Sequence, residues 1–182
     1  MTVLIVMKGL AEKKLKPVAL LCDVRKSVSE ILGKPFSERI DHQVFQPDKR
    51  VLAVWAFDCA ERVLPLFEAK YPCDVRPRKA LETLKEWVGS GVFRMSVIRK
   101  ASLDAHAAAK DVEEDYVKYA AHAAGQAVAT AHVATHALGG SVYAIRAVVA
   151  YTGNVNEGVI KERDWQLQCL RDIAKRLSTR KV

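Results

Sequence analysis

The chain has 182 residues, 50% of them hydrophobic and 27% charged, with few chain breakers (Gly 9, Pro 6). That composition excludes disordered, collagen-like and disulfide-scaffold classes and fits a single globular unit with its own core. The formal net charge of +8 favours acidic partners, but the lysines and arginines are spread without a polybasic run, as on a solvated surface rather than a nucleic-acid footprint.

The first segment, 1–45, reads as an N-terminal arm and helix packed on a main domain of residues 46–182. Val3–Met7 is a short strand or an extended arm. It lacks the basic flank and small-residue cleavage site of a signal sequence. Pro17 suits a first helical position, because no amide donor is needed there, and Gly33 supplies the stop. Between them Leu20, Leu21, Val24, Val28, Ile31 and Leu32 recur at helical spacing. A connector with Pro35 and Pro47 follows, with room for one helical turn at Glu38–Asp41.

The next helix, Asp48–Ala69, puts Leu52, Trp55, Cys59, Val63 and Leu66 on one face and contains Pro65, which is expected to kink or break it. A third helix starts at Pro77, turns Leu81, Leu84 and Val88 inward and ends at Gly89-Ser90-Gly91. Arg78 and Glu82, four residues apart on its outer side, are expected to pair. A fourth spans Ser96–Ala109. These two helices, around Arg76–Lys100, have the order of a helix-turn-helix, but the second lacks a convincing recognition face. After Asp111 the acidic Glu113, Glu114 and Asp115 complement the positive start of a longer helix.

From Tyr119 to Ile145 there is no Asp, Glu, Lys or Arg. A membrane span is excluded by the alanine-rich composition and by His122, Gln126, His132 and His136, all costly in hydrocarbon. The stretch reads as a central helix sheathed by others, with Gly139-Gly140 as a break or a close crossing; a break is favoured, with a further helix over Ser141–Tyr151. After a turn at Thr152-Gly153-Asn154, the last helix runs over Glu157–Ser178 with Trp165, Cys169, Leu170, Ile173 and Leu177 facing inward. Alternating strand patterns do not recur. The expected fold is all-α: a bundle of six to eight helices around the Ala/His-rich helix.

Three groups of residues invite chemistry. On a continuous helix His132-x-x-x-His136 would point both imidazoles one way, toward a divalent metal completed by His106, Asp58, Glu61 or Asp74. The H-E-x-x-H pattern is absent, and buried histidines bonded to neighbouring helices are the plainer account. Asp58, Glu61 and Arg62 lie beside the apolar face holding Trp55; Asp58 and Arg62 would form an intrahelical pair or contact a ligand. Asp74, Arg76 and Arg78 at a helix start would hold an anion or pair with acids of the preceding helix. Cys59 falls on the inward face, as a packed thiol. Cys22, Cys59, Cys73 and Cys169 form no C-x-x-C and read as reduced thiols of a cytoplasmic protein.

Leu52-Ala-Val-Trp-Ala-Phe-Asp-Cys-Ala-Glu-Arg-Val-Leu-Pro-Leu-Phe-Glu, then Asp74-Val-Arg-Pro-Arg-Lys-Ala and Ala129-Thr-Ala-His-Val-Ala-Thr-His-Ala, resemble in order and spacing the helical putative immunity proteins of bacterial polymorphic toxin systems. The likeness covers about residues 50–150. It implies an all-α fold, no catalysis, and neutralisation of a cognate protein toxin by direct binding. It also implies that Asp58, Glu61, Arg62, Asp74, Arg76, Arg78, His106, His132 and His136 form a shared polar site or network.

The leading expectation is therefore a non-enzymatic protein-binding module without cofactor. A metal-dependent, hydrolase-like helical protein using His132 and His136 is the alternative, and nucleic-acid binding by the basic outer faces ranks third. No membrane association is expected, and a homodimer stays open.

Overall fold

A computed structural model describes residues 17–33 and 47–179, and these fold as seven helices with no strand. They are α1 (Pro17–Leu32), α2 (Pro47–Glu68), α3 (Arg76–Ser90), α4 (Met95–Ala108), α5 (Asp115–Ala129), α6 (His136–Thr152) and α7 (Val155–Thr179). The expected Val3–Met7 arm and Glu38–Asp41 turn lie outside the described residues, as do the side chains of Leu20, Leu21, Cys22 and Leu177.

Local chemistry accounts for most helix ends. Proline opens α1 and α2 and takes the second position of α3, where amide donors are not required. Gly91 closes α3 at φ 71°, a left-handed conformation that a side chain would strain, and its N–H donates to the Trp87 carbonyl. The Asn154 side chain accepts from the Glu157 amide and donates to the Glu157 carboxylate, a reciprocal cap on the start of α7. Pro65 neither ends nor interrupts α2: it lies exposed about one turn from the C-terminus, and Ala69 N–H still bonds to its carbonyl.

The alanine-rich α5 is the axis of the bundle, in contact with α2, α3, α4 and α6. Ala120, Ala121, Ala123, Ala124, Ala127 and Val128 are buried, and their small side chains let four helices approach one backbone closely. Around it Trp55, Phe67, Leu81, Leu84, Leu138, Ile145, Leu170 and Ile173 close the core. α1 packs on α6 and α7 through the buried Val24 and Val28. None of the described helices is long and apolar enough to cross a membrane.

The charge-free stretch divides differently from the expectation. α5 stops at Ala129, residues 130–135 form successive tight turns, and α6 begins at His136 and continues through Gly139-Gly140. Amides of Thr130, Ala131 and His132 bond three residues back, as do those of His136, Ala137 and Leu138. The two glycines serve packing instead: a Cβ on Gly139 would lie 2.6 Å from Gln126 Oε1, and one on Gly140 would face the α5 backbone at Ala123 and Ala127.

The inward seam of α7 is also corrected. Val159, Arg163, Gln166, Leu170 and Ile173 are buried, whereas Trp165 and Cys169 are half-buried at its edge. With Glu162, also buried, three polar side chains therefore sit where the 3–4 spacing calls for apolar ones.

Candidate functional site

The arginines of the α2–α3 corner are held in paired forks. Glu61 and Glu68 lie two turns apart on α2, so they share a face, and Arg78 from the first turn of α3 reaches both. Its Nη1 donates to both Glu61 oxygens at 2.8 and 2.7 Å, and its Nε and Nη2 donate to Glu68 at 2.8 and 3.0 Å. The expected Arg78–Glu82 pair is replaced by this one because two carboxylates in fork geometry outcompete one solvated neighbour. Arg76 donates to Asp74 (Nη2 to Oδ2, 2.6 Å) and to Asp111 at 2.7 Å, joining the start of α3 to the segment before α5. Hydrogen bonds from Arg76 hold the Asp74 carboxyl below its usual range.

Across α2 a second group faces α7. Arg62 does not pair with Asp58: its Nε donates to the buried Glu162 at 2.9 Å, and its guanidinium stacks 4.4 Å over the Trp165 ring. Asp58 instead accepts from the Cys169 thiol at 3.4 Å. Burial raises the Asp58 carboxyl pKa, and burial with the adjacent Asp58 pushes the Cys169 thiol up to about 12. Cys59 is fully buried and its pKa lies well above the usual thiol value, so neither sulfur is a thiolate at neutral pH.

The four described histidines are half-buried on α4, α5, α6 and the turns before α6. His106 Nδ1 and His122 Nδ1 are 2.8 Å apart, so one is the N–H tautomer and the other accepts. Their ring centroids are 5.0 Å apart, longer by about the two ring radii, so the nitrogens point straight at each other. That is the geometry of a hydrogen bond and not of two ligands converging on an ion.

His122 also packs against Tyr143, and His136 Nδ1 donates to Gln126 Oε1 at 2.7 Å. The His132 and His136 rings lie 5.1 Å apart, but they come from a turn and a helix start rather than one continuous helix. Lys49, buried at the start of α2, donates to the His132 carbonyl at 3.4 Å and so supports the turn.

Burial lowers the pKa of His106, His122 and His136. His122 falls furthest, to about 4, because His106, Arg146, Lys118 and Lys110 add like-charge repulsion to the desolvation. These imidazoles are neutral at pH 7. Among the described residues, no group of three or more His, Cys, Asp or Glu is placed to hold a metal ion.

The nine residues singled out in the sequence thus occupy three separate places: the α2–α3 corner, the α2–α7 contact and the α4–α5–α6 histidine row. Arg62 borders a groove of about 590 Å³ between α2, α6 and α7. Each carboxylate or guanidinium among the nine is bonded within the chain, as in a network that fixes helices against one another.

Sequence reasoning missed the partners Glu68, Asp111 and Glu162, and the buried Arg163. Arg163 donates from Nη2 to Ser27 Oγ at 2.8 Å and from Nε to Asp23 at 3.1 Å, tying α7 to α1. The signal that finds it is a polar residue on the apolar seam of an amphipathic helix. Gln166 on the same seam receives the Trp55 indole N–H on its backbone carbonyl at 2.8 Å and donates from its side-chain Nε2 to the Ser141 carbonyl.

No curated protein and no solved structure matches the chain. Residues 42–173 match the family described as Imm-5 like putative immunity protein. This region takes in α2 to α6, most of α7, and all three polar groups. With the greater part of its length so matched, the chain belongs to the Imm-5 like putative immunity protein family.

Proposed function

We propose that the chain is a non-enzymatic binding protein that neutralises a cognate bacterial toxin by direct contact. The carrying observation is the family match over residues 42–173. The polar geometry supports it. Arg62, Arg76 and Arg78 spend their guanidinium groups on acids of their own chain, His106 and His122 bond to each other, and His136 bonds to Gln126. General acid–base work needs a titratable group presented to a substrate with a pKa near the working pH. Here burial moves the thiols far upward and His122 down to about 4, both away from neutral pH, and Asp58, whose pKa burial raises, is bonded to the Cys169 thiol. The network therefore acts as a frame, and recognition falls to the surface.

The test is rescue: cells producing the toxin encoded beside this chain survive only when the chain is co-produced, and the two proteins co-purify in fixed stoichiometry. Failure of both would overturn the proposal. Elemental analysis guards against the metal-dependent alternative; stoichiometric zinc, manganese or iron in native protein, lost in His136→Ala, would favour that chemistry instead.

A further inference from the structure

Exposed apolar side chains are concentrated at one corner. Among the described residues, five of the eight exposed large hydrophobic side chains, Val92, Phe93, Met95, Val97 and Leu103, fall within residues 92–103. Four of them, Val92, Phe93, Met95 and Val97, are 36–58% exposed over the α3–α4 turn and the first turn of α4. Residues 91–97 are exposed without interruption, and Ile98 is the first side chain turned into the core. A run of this kind is unusual on a surface with no use for it.

The corner is also rigidly built. The Gly91 amide donates to the Trp87 carbonyl at 2.8 Å, the Ser90 hydroxyl to the Glu86 carbonyl at 2.8 Å, and the Val97 and Ile98 amides both to the Arg94 carbonyl at 3.1 Å. Between the last turns of α3 and the first turn of α4 lies a cleft of about 200 Å³. The buried Trp87 and Ile98 contribute to its lining, with Val92, Val97, Arg94 and Glu86 around them. The lining is mixed, apolar through Trp87, Ile98, Val92 and Val97 and polar through Thr83, Glu86, Ser90 and Arg94. Such a cleft on an ordered backbone accepts a partner side chain at small entropic cost, which is how strong interface contacts are made.

Charge narrows the occupant. Arg94, Arg99 and Lys100 are exposed in the same segment; Lys100 is bonded to Asp104 at 2.6 Å, whereas neither Arg94 nor Arg99 has an acid partner among the described residues. Met95, Arg99 and Leu103, spaced by four, alternate apolar and cationic groups along one side of α4. A second copy of the chain would bring like charges together, and a nucleic acid would set phosphates against Met95, Val97 and Leu103. A protein with carboxylates around an apolar side chain satisfies both components.

We propose that the α3–α4 corner is the surface that docks the toxin, and that the toxin meets it with an acidic face whose central apolar side chain enters the cleft lined by Trp87. This rests on the toxin-neutralising reading above and adds the surface and the chemistry of its partner.

The test titrates the purified toxin domain encoded beside this chain into wild-type protein, Val97→Glu, and the double variant Arg94→Glu/Arg99→Glu. Lys161→Ala, on α7, is the control, and thermal melts verify that all fold. The expected result is a loss of about a hundredfold for Val97→Glu, and of about tenfold with a flattened salt dependence for the double variant. The control should stay within about twofold, as befits a site that shares no partner with the corner. Equal binding by wild type and both corner variants would overturn the surface while leaving the toxin reading intact. A wild type that binds no toxin would overturn both. A homodimer dissociated by Val97→Glu, or corner-dependent binding to vesicles of anionic phospholipid or to a single-stranded oligonucleotide, would assign the corner to that occupant and overturn the proposal.

Discussion

Arg163 is 2% exposed and spends its charge on Asp23 and Ser27, so its removal acts through burial, packing and charge together. Taking one partner from a buried pair leaves the other uncompensated, and Asp23 is partly solvated, which softens the penalty. Arg163→Ala is expected to cost about 2–4 kcal/mol by urea unfolding, and Arg163→Met about half of that because the stem packing survives. The His106–His122 pair gives a second residue-scale expectation, one that depends on pH. His122 has a folded pKa of about 4, below the ordinary value of about 6.5, so the unfolded chain binds the proton more readily. Its contribution is complete above about 6.5 and lost as pH falls toward 4. After allowance for partial solvation, the loss amounts to about 1–2 kcal/mol. His122→Phe should be less stable at pH 7.5 through the lost bond to His106, yet show a flatter decline from pH 7 to 4.5. An unchanged slope in urea titrations across that range would contradict the assignment.

Helix ends are legible where proline or glycine marks them, and obscure where tertiary packing decides. Pro17, Gly33, Gly91 and Gly153 bound elements much as their chemistry dictates, because Pro needs no amide donor and Gly adopts positive φ without strain. The α5–α6 break fails that logic: Thr130–Thr135 holds no breaker, while Gly139-Gly140 holds two and stays helical. Those glycines face α5, a fact that belongs to the contact between helices and not to the local sequence. The same divide explains the site. The polar set on α2 and residues 74–78 stands out by spacing, but Glu68, Asp111 and Glu162 become partners only through docking of α3, the segment before α5, and α7. Two substitutions test the crossing. Gly140→Ala adds a Cβ at ordinary contact, 3.6 Å from Ala123 O and Ala127 N, so helix propensity should dominate and stabilise by up to about 1 kcal/mol. Gly139→Ala drives its Cβ to 2.6 Å from Gln126 Oε1. The amide must swing away from His136, for a net loss of about 1 kcal/mol. Equal melting temperatures for the two variants would refute this account of the glycines.

At the scale of the molecule, the family match begins at residue 42, so α1 lies outside the matched region, yet it covers part of α6 and α7. Val24 and Val28 are fully buried there, and the Arg163–Asp23–Ser27 bonds lie in the same contact. Ile31 and Leu32 pack partly on the same core, and an element so held contributes to the stability of the whole only if it unfolds with the rest. Its contacts are sufficient for that: burying Val24 and Val28 and bonding Arg163 Nε and Nη2 to Asp23 and Ser27 sum to about 3–5 kcal/mol. Val28→Asp in the full chain, and deletion of residues 1–33, should therefore each lower the melting temperature, the deletion by roughly 10 °C for a domain of this size. Both should also raise binding of a hydrophobic dye, as the α6–α7 surface becomes wet. The helices of the docking corner, α3 and α4, pack on α2, on α5 and on each other, whereas α1 packs on α6 and α7. Toxin affinity measured well below the new melting point should therefore change by less than about threefold. A deletion that melts like the full chain would mean that α1 rests on the bundle without stabilising it, and the buried Arg163 would then have to find its compensation elsewhere.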